Sequence, residues 1–353
     1  MIADLRSDTV TRPSAGMLEA MMAAEVADDV LEGDPTTRRL EEAVARLLGK
    51  EAALFVPSGT MANQIAVRLH CGRDESFICE VTCHINVYEQ GGYAQLSGVA
   101  AQPLVGERGQ LSVEQVLAAI QPDDEHFSRT AMLALENTAN KVGGVVQPQS
   151  AVQSLCRAAH SRGLTTHLDG ARLFNASVAT GLDPSELAEP FDSVSVCFSK
   201  GLGAPVGSAL CGSADFVRRA IRSRKLLGGG MRQSGFLAAA GLYAIENNVE
   251  RLDQDHEHAR LLAGAVRKAS DLKLLAEPQS NIVIFSVGDS LGTAEQYVTQ
   301  LASSGVLALA IGPTTVRLVT HLDVSAEQIA HACNVLRQGG SAERDCGGQK
   351  ETT

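Results

Sequence analysis

The chain has 353 residues, 30 Lys+Arg against 41 Asp+Glu, a formal net charge of -11 and 44% hydrophobic residues, few of them aromatic. That length suits about two or three domains with a sizeable core; the acidic balance, with no Lys/Arg stripe carrying interleaved aromatics, argues against nucleic acid as a partner. The longest apolar run, 236–245, falls short of the roughly 20 residues that cross a bilayer, and MIADLRSDTV mixes acids with a base where a secretory leader would be basic and then apolar, so a cytoplasmic location is expected.

Taken in chain order, TRRLEEAVARLL predicts a helix over 37–48, with Leu40, Val44, Leu47 and Leu48 on one face and a stop at Gly49. The apolar run AALFV, the turn Pro57-Ser58-Gly59-Thr60 and the periodic stretch Met61 to Leu69 read as strand, tight turn and helix. Next comes CEVTCH. Cys79, Cys83 and His84 there would supply three zinc ligands if a fourth came from elsewhere, but the spacing lacks a paired second half and burial of both thiols at a strand and its end is favoured. The eight cysteines are scattered through a long chain, which points to reduced thiols.

The alternation continues through AMLALEN (131–137), a helix near 151–161, LTTHLDGA (164–171) and SVSVCF (193–198). Short strands separated by helices predict a mostly parallel sheet covered on both faces. After Gly228-Gly229-Gly230 the texture changes to a helix over 233–249 and a charged, His-rich helix over 250–270. SNIVIFSV, a helix over 293–303, TTVRLVTHLDVS and a last helix to Leu336 then read as a small α+β unit. The expected division is a large domain over 1–247 with an N-terminal arm, a small C-terminal domain over 248–340, and a disordered tail over 341–353, which has no apolar periodicity.

Open α/β sheets bind ligands at the carboxyl ends of their strands, and three polar clusters fall there. Ser58, Gly59 and Thr60 precede a helix whose free N–H groups and dipole suit a phosphate, although the same residues serve equally as a plain cap. Asp169 ends an apolar strand and calls for a cation; Arg172 is a candidate partner, and the alternative assigns Asp169 to a protonated ring nitrogen and Arg172 to a substrate carboxylate. Lys200 follows an apolar strand and precedes a glycine-rich turn, where a lysine can turn nucleophilic and form a Schiff base, or simply stand solvated. Together, a phosphate cradle, a strand-end Asp and a strand-end Lys match the way pyridoxal phosphate is held. The absence of GxGxxG and GxxxxGK[ST] disfavours a nicotinamide dehydrogenase or a P-loop enzyme.

The segments LRSDTVTRPS, EGDPT, SGTMAN, YEQGG, LENT, HLDGAR, CFSKGLGAPVG, GGGMRQSG and VRLVTHLDVS, in that order over about 4–337, resemble the low-specificity L-threonine aldolases. The resemblance implies an α/β, aspartate-aminotransferase-like fold of type I, whose large domain has a mostly parallel seven-stranded sheet. It implies that Lys200 binds the cofactor aldehyde, that Asp169 pairs with the pyridinium nitrogen, and that Arg172, Arg317 and Ser7 hold the substrate carboxylate. His84 matches the histidine that stacks on the cofactor ring and His126 a second active-site histidine; either is a candidate for the β-hydroxyl proton. Lys225 and Arg232 match residues that reach the phosphate from a neighbouring subunit, which implies a site at a dimer interface and a homotetramer built as a dimer of dimers. The implied reaction is retro-aldol cleavage of L-threonine to glycine and acetaldehyde.

Two departures stand out: Leu31 where the family commonly has tyrosine, and Ala139 where it often has histidine. Both remove polar groups from the expected neighbourhood of the β-substituent, and so bear on selectivity between threonine, allo-threonine and other β-hydroxy amino acids. The alternatives are alanine racemisation or β-elimination on the same scaffold, and a scaffold kept for binding without turnover.

Overall fold

A computed structural model of the chain describes residues 1–339, and the tail expected over 341–353 lies outside the described residues. The strands in chain order are β1 (Ala3–Asp4), β2 (Ala52–Val56), β3 (Ser76–Glu80), β4 (Ala100–Leu104), β5 (Thr130–Glu136), β6 (Thr165–Gly170), β7 (Ser193–Cys197), β8 (Ser208–Gly212), β9 (Leu272–Leu274), β10 (Ile282–Val287), β11 (Val306–Leu307), β12 (Leu309–Ala310) and β13 (Thr315–Val319). Seven of them form one sheet in the order β2-β8-β7-β6-β5-β3-β4. From β7 to β4 the strands run parallel, while β8 is antiparallel to both its neighbours.

The sheet is buried on both faces because its strands are apolar at consecutive positions. Ala53 and Phe55 of β2 enter one core with Leu40, Val44 and Phe198, whereas Leu54 and Val56 point into another with Ile65, Ala66 and Phe216. In β5, Leu133 and Leu135 face the first core, while Met132 and Ala134 pack with Phe77 and Cys79 on the opposite side. A period of two, apolar on both phases, leaves a strand no solvent face. The helix expected over 37–48 runs Pro35–Leu47, starting earlier because Asp34 accepts from Thr37 N at 2.9 Å and Pro35 fits the first helical turn.

β12, β13, β10 and β9 make a four-stranded antiparallel sheet. It packs with helices Leu252–Lys268, Ala294–Ser303 and Ala326–Arg337 around Phe285, Tyr297 and Leu318. Ala3 and Leu5 also belong to that core, since β1 pairs in parallel with β11. The next residues cross back toward the large sheet, where Thr11 Oγ1 donates to the carbonyl of Lys200 at 3.0 Å. No described helix is long and apolar enough to cross a membrane.

Candidate active site

At the carboxyl ends of β3, β5, β6 and β7, the N-terminal segment and the β12–β13 hairpin close a cavity of about 480 Å³. Ser7, His84, Glu136, Asn140, Arg172, Lys200 and Arg317 line it, so five residues singled out in the sequence, Ser7, His84, Arg172, Lys200 and Arg317, share one wall system. Lys200 is positioned by the turn after β7, closed by Gly203 N–H donating to Lys200 O at 2.8 Å with Gly203 at φ +79, a conformation that favours glycine.

Asp169, near the end of β6, is only 2% exposed. Its partners are Asn63 Nδ2 at 2.8 Å and the N–H of Ala171 at 3.1 Å, neither of them a cation. A buried carboxylate held by neutral donors alone is costly, and a cationic ring N–H would complete it. The residues present therefore fit a pyridinium group. Beside it, His84 Nδ1 donates to Glu89 Oε1 at 2.8 Å, and polar atoms of His84, Glu89 and Asp169 lie within 4.8 Å of one another. Burial opposes the charged ring most strongly, but the bond to Glu89 and the charges of Asp169 and Glu89 leave the His84 pKa above its ordinary value. Cys79 and Cys83 are buried next to each other, and the imidazole of His84 is engaged with Glu89 instead of the thiols, so the zinc alternative has no triad here.

Two of the three guanidinium nitrogens of Arg172 are committed inside the chain. Its Nε and Nη2 form a two-pronged pair with Asp8, at 2.7 and 2.6 Å, and both residues are buried. The internal pair with Asp169 is therefore not formed, and Nη1 alone is left toward the cavity. The reason is topological: the N-terminal segment brings Asp8, adjacent to Ser7, under the end of β6. Burial alone would raise the Asp8 pKa, but the charge and hydrogen bonds of Arg172 outweigh it and hold the carboxyl at about 2.

What remains for an anion is Arg172 Nη1 and Arg317. Asn140 Oδ1 accepts from Arg172 Nη1 at 3.4 Å and from Arg317 Nη1 at 3.2 Å, while Arg317 Nε has no hydrogen-bond partner. Burial, followed by the neighbouring charge of Arg172, lowers the Arg317 pKa. Two guanidiniums sharing one neutral oxygen describe a place where a carboxylate would be welcome.

Ser58, Gly59 and Thr60 do not line this cavity. Ser58 Oγ caps the helix Gly59–His70 by accepting from Met61 N at 3.2 Å. A Cβ on Gly59 would lie 2.7 Å from Cys197 Sγ, so close packing of the helix end on β7 already accounts for glycine there, where the sequence suggested approach of a ligand. His126 stands outside the cavity with its side chain 76% exposed, bonded to Asp124 at 2.7 Å. Lys225 is exposed, and Arg232 pairs with Asp28 at 3.1 Å. Of the two departures, Leu31 is an exposed surface residue and Ala139 is buried in a bridge to Val145; neither lines the cavity.

Sequence reading assigned no role to Asp8, Asn63, Glu89, Glu136 or Asn140, although each lies in or beside a quoted motif. Glu136, half-buried at the end of β5, accepts from the N–H groups of His84 and Asn140, both at 3.1 Å. Burial, with the nearby charge of Asp169, raises its pKa to about 7. The available signal was an acid ending an otherwise apolar strand, the pattern that singled out Asp169.

Over residues 4–290 the chain matches the family model described as beta-eliminating lyase. It is 47% identical over 328 residues, 93% of this chain and 96% of the relative, to the low specificity L-threonine aldolase of Escherichia coli K12. To low-specificity L-threonine aldolase 1 of Arabidopsis thaliana it is 42% identical over 341 residues, 95% of each. A solved structure of Leishmania major threonine aldolase superposes with a TM-score of 0.83 at 20% identity, covering 96% of this chain and 99% of that one, which shows the shared type I fold.

Proposed function

The chain belongs to the low-specificity L-threonine aldolases of the beta-eliminating lyase family, and on that premise we infer that it cleaves L-threonine, L-allo-threonine and related L-β-hydroxy amino acids to glycine and an aldehyde. The observation that carries this reading is one cavity with Lys200 and His84 on its walls and Arg317 beside Arg172 sharing Asn140 Oδ1.

Pyridoxal phosphate is the cofactor these residues suit: when bound it supplies an aldehyde carbon that an amine can capture and a sink for the electrons of a broken Cα bond. Lys200 would offer that amine, and Asp169 would hold the ring N–H. The N–H groups of Gly59 and Thr60, with the Ser58 and Thr60 hydroxyls, receive the phosphate at the start of a helix of 12 residues. Arg317, with Nη1 of Arg172 and with Ser7, grips the amino-acid carboxylate. That grip would fix the orientation of the amino acid at Cα and so select the bond to be broken. His84, with Nδ1–H committed to Glu89, turns Nε2 into the lone pair that takes the β-hydroxyl proton. Loss of that proton drives Cα–Cβ cleavage and frees the aldehyde.

His126 stays a candidate second active-site histidine, and Lys225 and Arg232 act from a neighbouring copy in this reading, within a homotetramer of paired dimers. Their position outside their own chain's cavity supports it, as do the exposed apolar side chains of Leu18, Met22, Leu31 and Leu226. A cytoplasmic setting accords with seven free cysteines among the described residues.

The test is an absorbance spectrum of the purified protein with pyridoxal phosphate, followed by L-threonine and assay of both products. A new visible band and equal amounts of acetaldehyde and glycine are expected. A band with neither product would move the activity to racemisation, β-elimination or cleavage of another β-hydroxy amino acid.

A further inference from the structure

Beneath Asp169 lies a buried chain of polar side chains that the reaction does not touch. Asn63, on the helix Gly59–His70, has its amide at the centre of it and is 1% exposed. Its Nδ2 donates to Asp169 Oδ2 at 2.8 Å and to Glu89 Oε1 at 2.9 Å. Because both partners are carboxylates, the amide orientation is fixed, and Oδ1 must accept. It does so from Ser195 Oγ at 2.9 Å and His167 Nε2 at 3.1 Å, so all four hydrogen-bonding positions of the amide are used.

The tautomer of His167 follows. Nε2 carries the proton, and Nδ1 is then the acceptor for Ser193 Oγ at 2.8 Å. With its proton spent on His167, the Ser193 hydroxyl accepts from His70 Nε2 at 2.7 Å. Every bond from His70 through Ser193, His167 and Asn63 therefore points its donor toward Asp169. His167 and Ser193 are fully buried, and burial lowers the His167 pKa to about 4, so the ring stays neutral at physiological pH.

We propose that Asn63 and His167 are positioning residues that hold Asp169 as an ionised acceptor for the cofactor ring and, through Glu89, set the histidine that faces it. The proposal rests on the assignment of Asp169 to the ring nitrogen made above. The amide spans the two carboxylates, so one side chain fixes the spacing between the ring-nitrogen partner and the Glu89–His84 pair. A chain of donors aligned in one direction polarises each successive bond, and the strength accumulates at Asp169 Oδ2. A protonated His167 would turn Ser193 around and cost the bond to His70, which is why a neutral ring is built into the path.

The experiment measures cofactor Kd and the position of the visible band in the pyridoxal phosphate-loaded protein for Asn63→Leu, His167→Leu, His167→Gln and Asp169→Ala. Gln keeps one donor and one acceptor, and Leu keeps neither. Asn63→Leu removes a hydrogen bond to the charged Asp169 and should raise Kd about tenfold or more and displace the band; His167→Leu, which removes a bond to the neutral Asn63 amide, should shift both in the same direction by a smaller factor, while His167→Gln stays near the parent protein. If Asp169→Ala shifts both readouts and the two Leu variants shift neither, the positioning role is overturned and the assignment of Asp169 survives. If Asp169→Ala shifts neither, the assignment itself fails. Should the Leu variants not fold, ¹⁵N-histidine spectra of the parent protein decide: an Nε2–H neutral ring at His167 is expected, and an Nδ1–H or charged ring overturns the path.

Discussion

Arg172 and Arg317 line the same cavity and carry the same charge, yet their substitutions should differ. Arg172→Ala strands Asp8 as a buried, unpaired carboxylate, a loss of about 3–5 kcal/mol that thermal unfolding would register before any assay. Arg317→Ala breaks only bonds to Asn140 and the Arg6 carbonyl; KM for threonine should rise about tenfold or more with little change in Tm. A matching Tm loss in both variants would contradict that division. Asp8 also sets an acid limit. Its folded pKa of about 2 lies below the ordinary 3.8, so its contribution is complete above 3.8 and disappears as pH falls toward 2. Glu136 has the opposite sign. Folded, it keeps its proton to about pH 7 while the unfolded chain releases it near 4.5, so stability falls as pH rises between those values. Glu136→Gln should therefore match the parent in urea unfolding at pH 4 and exceed it at pH 8; no difference at pH 8 would place Glu136 in a more solvated state. Lys200→Ala is expected to abolish turnover while cofactor still binds through its ring and phosphate, measurable by equilibrium dialysis beside an activity assay.

Helices and strands were largely legible before the fold was seen, because amphipathic period and cap chemistry are local. The runs 52–56, 164–171 and 193–198 appear as β2, β6 and β7 to within two residues. The helix Gly59–His70 shows where local reading stopped. Beside the place proposed for a phosphate, the missing Cβ of Gly59 lets the helix end settle on Cys197 and Ser208. Gly59→Ala should force that end away and cost about 1–3 kcal/mol by overpacking, with Cys197→Ala relieving part of the loss in the double variant. Additive losses in the double-mutant cycle would argue that the two positions are uncoupled. The same displacement would move Asn63, one turn along, so cofactor affinity should fall in parallel.

At the scale of the molecule, the N-terminal residues join two cores that otherwise meet around the cavity. Leu5 is fully buried with Phe285 and Leu318, while Asp8, three residues on, lies against Arg172 at the end of β6. Leu5→Ala should cost about 2–5 kcal/mol and, by loosening the segment that carries Ser7 and Asp8, raise KM for threonine as well. Unchanged KM in the folded variant would mean that Asp8 and Arg172 anchor the segment unaided.

The sequence by itself determined the type of sheet, the division of strands and helices, and the strand-end positions of Asp169 and Lys200, because periodicity and strand-end polarity are written in consecutive residues. Ordered motifs also disclosed the family. Which charges meet was decided only in three dimensions: Arg172 chose Asp8 from 164 positions away, and Asn63 joined Asp169 from 106 away. Spacing along the chain carries no record of such pairings, since they arise where the carboxyl ends of non-adjacent strands converge and burial leaves each charge or amide few partners.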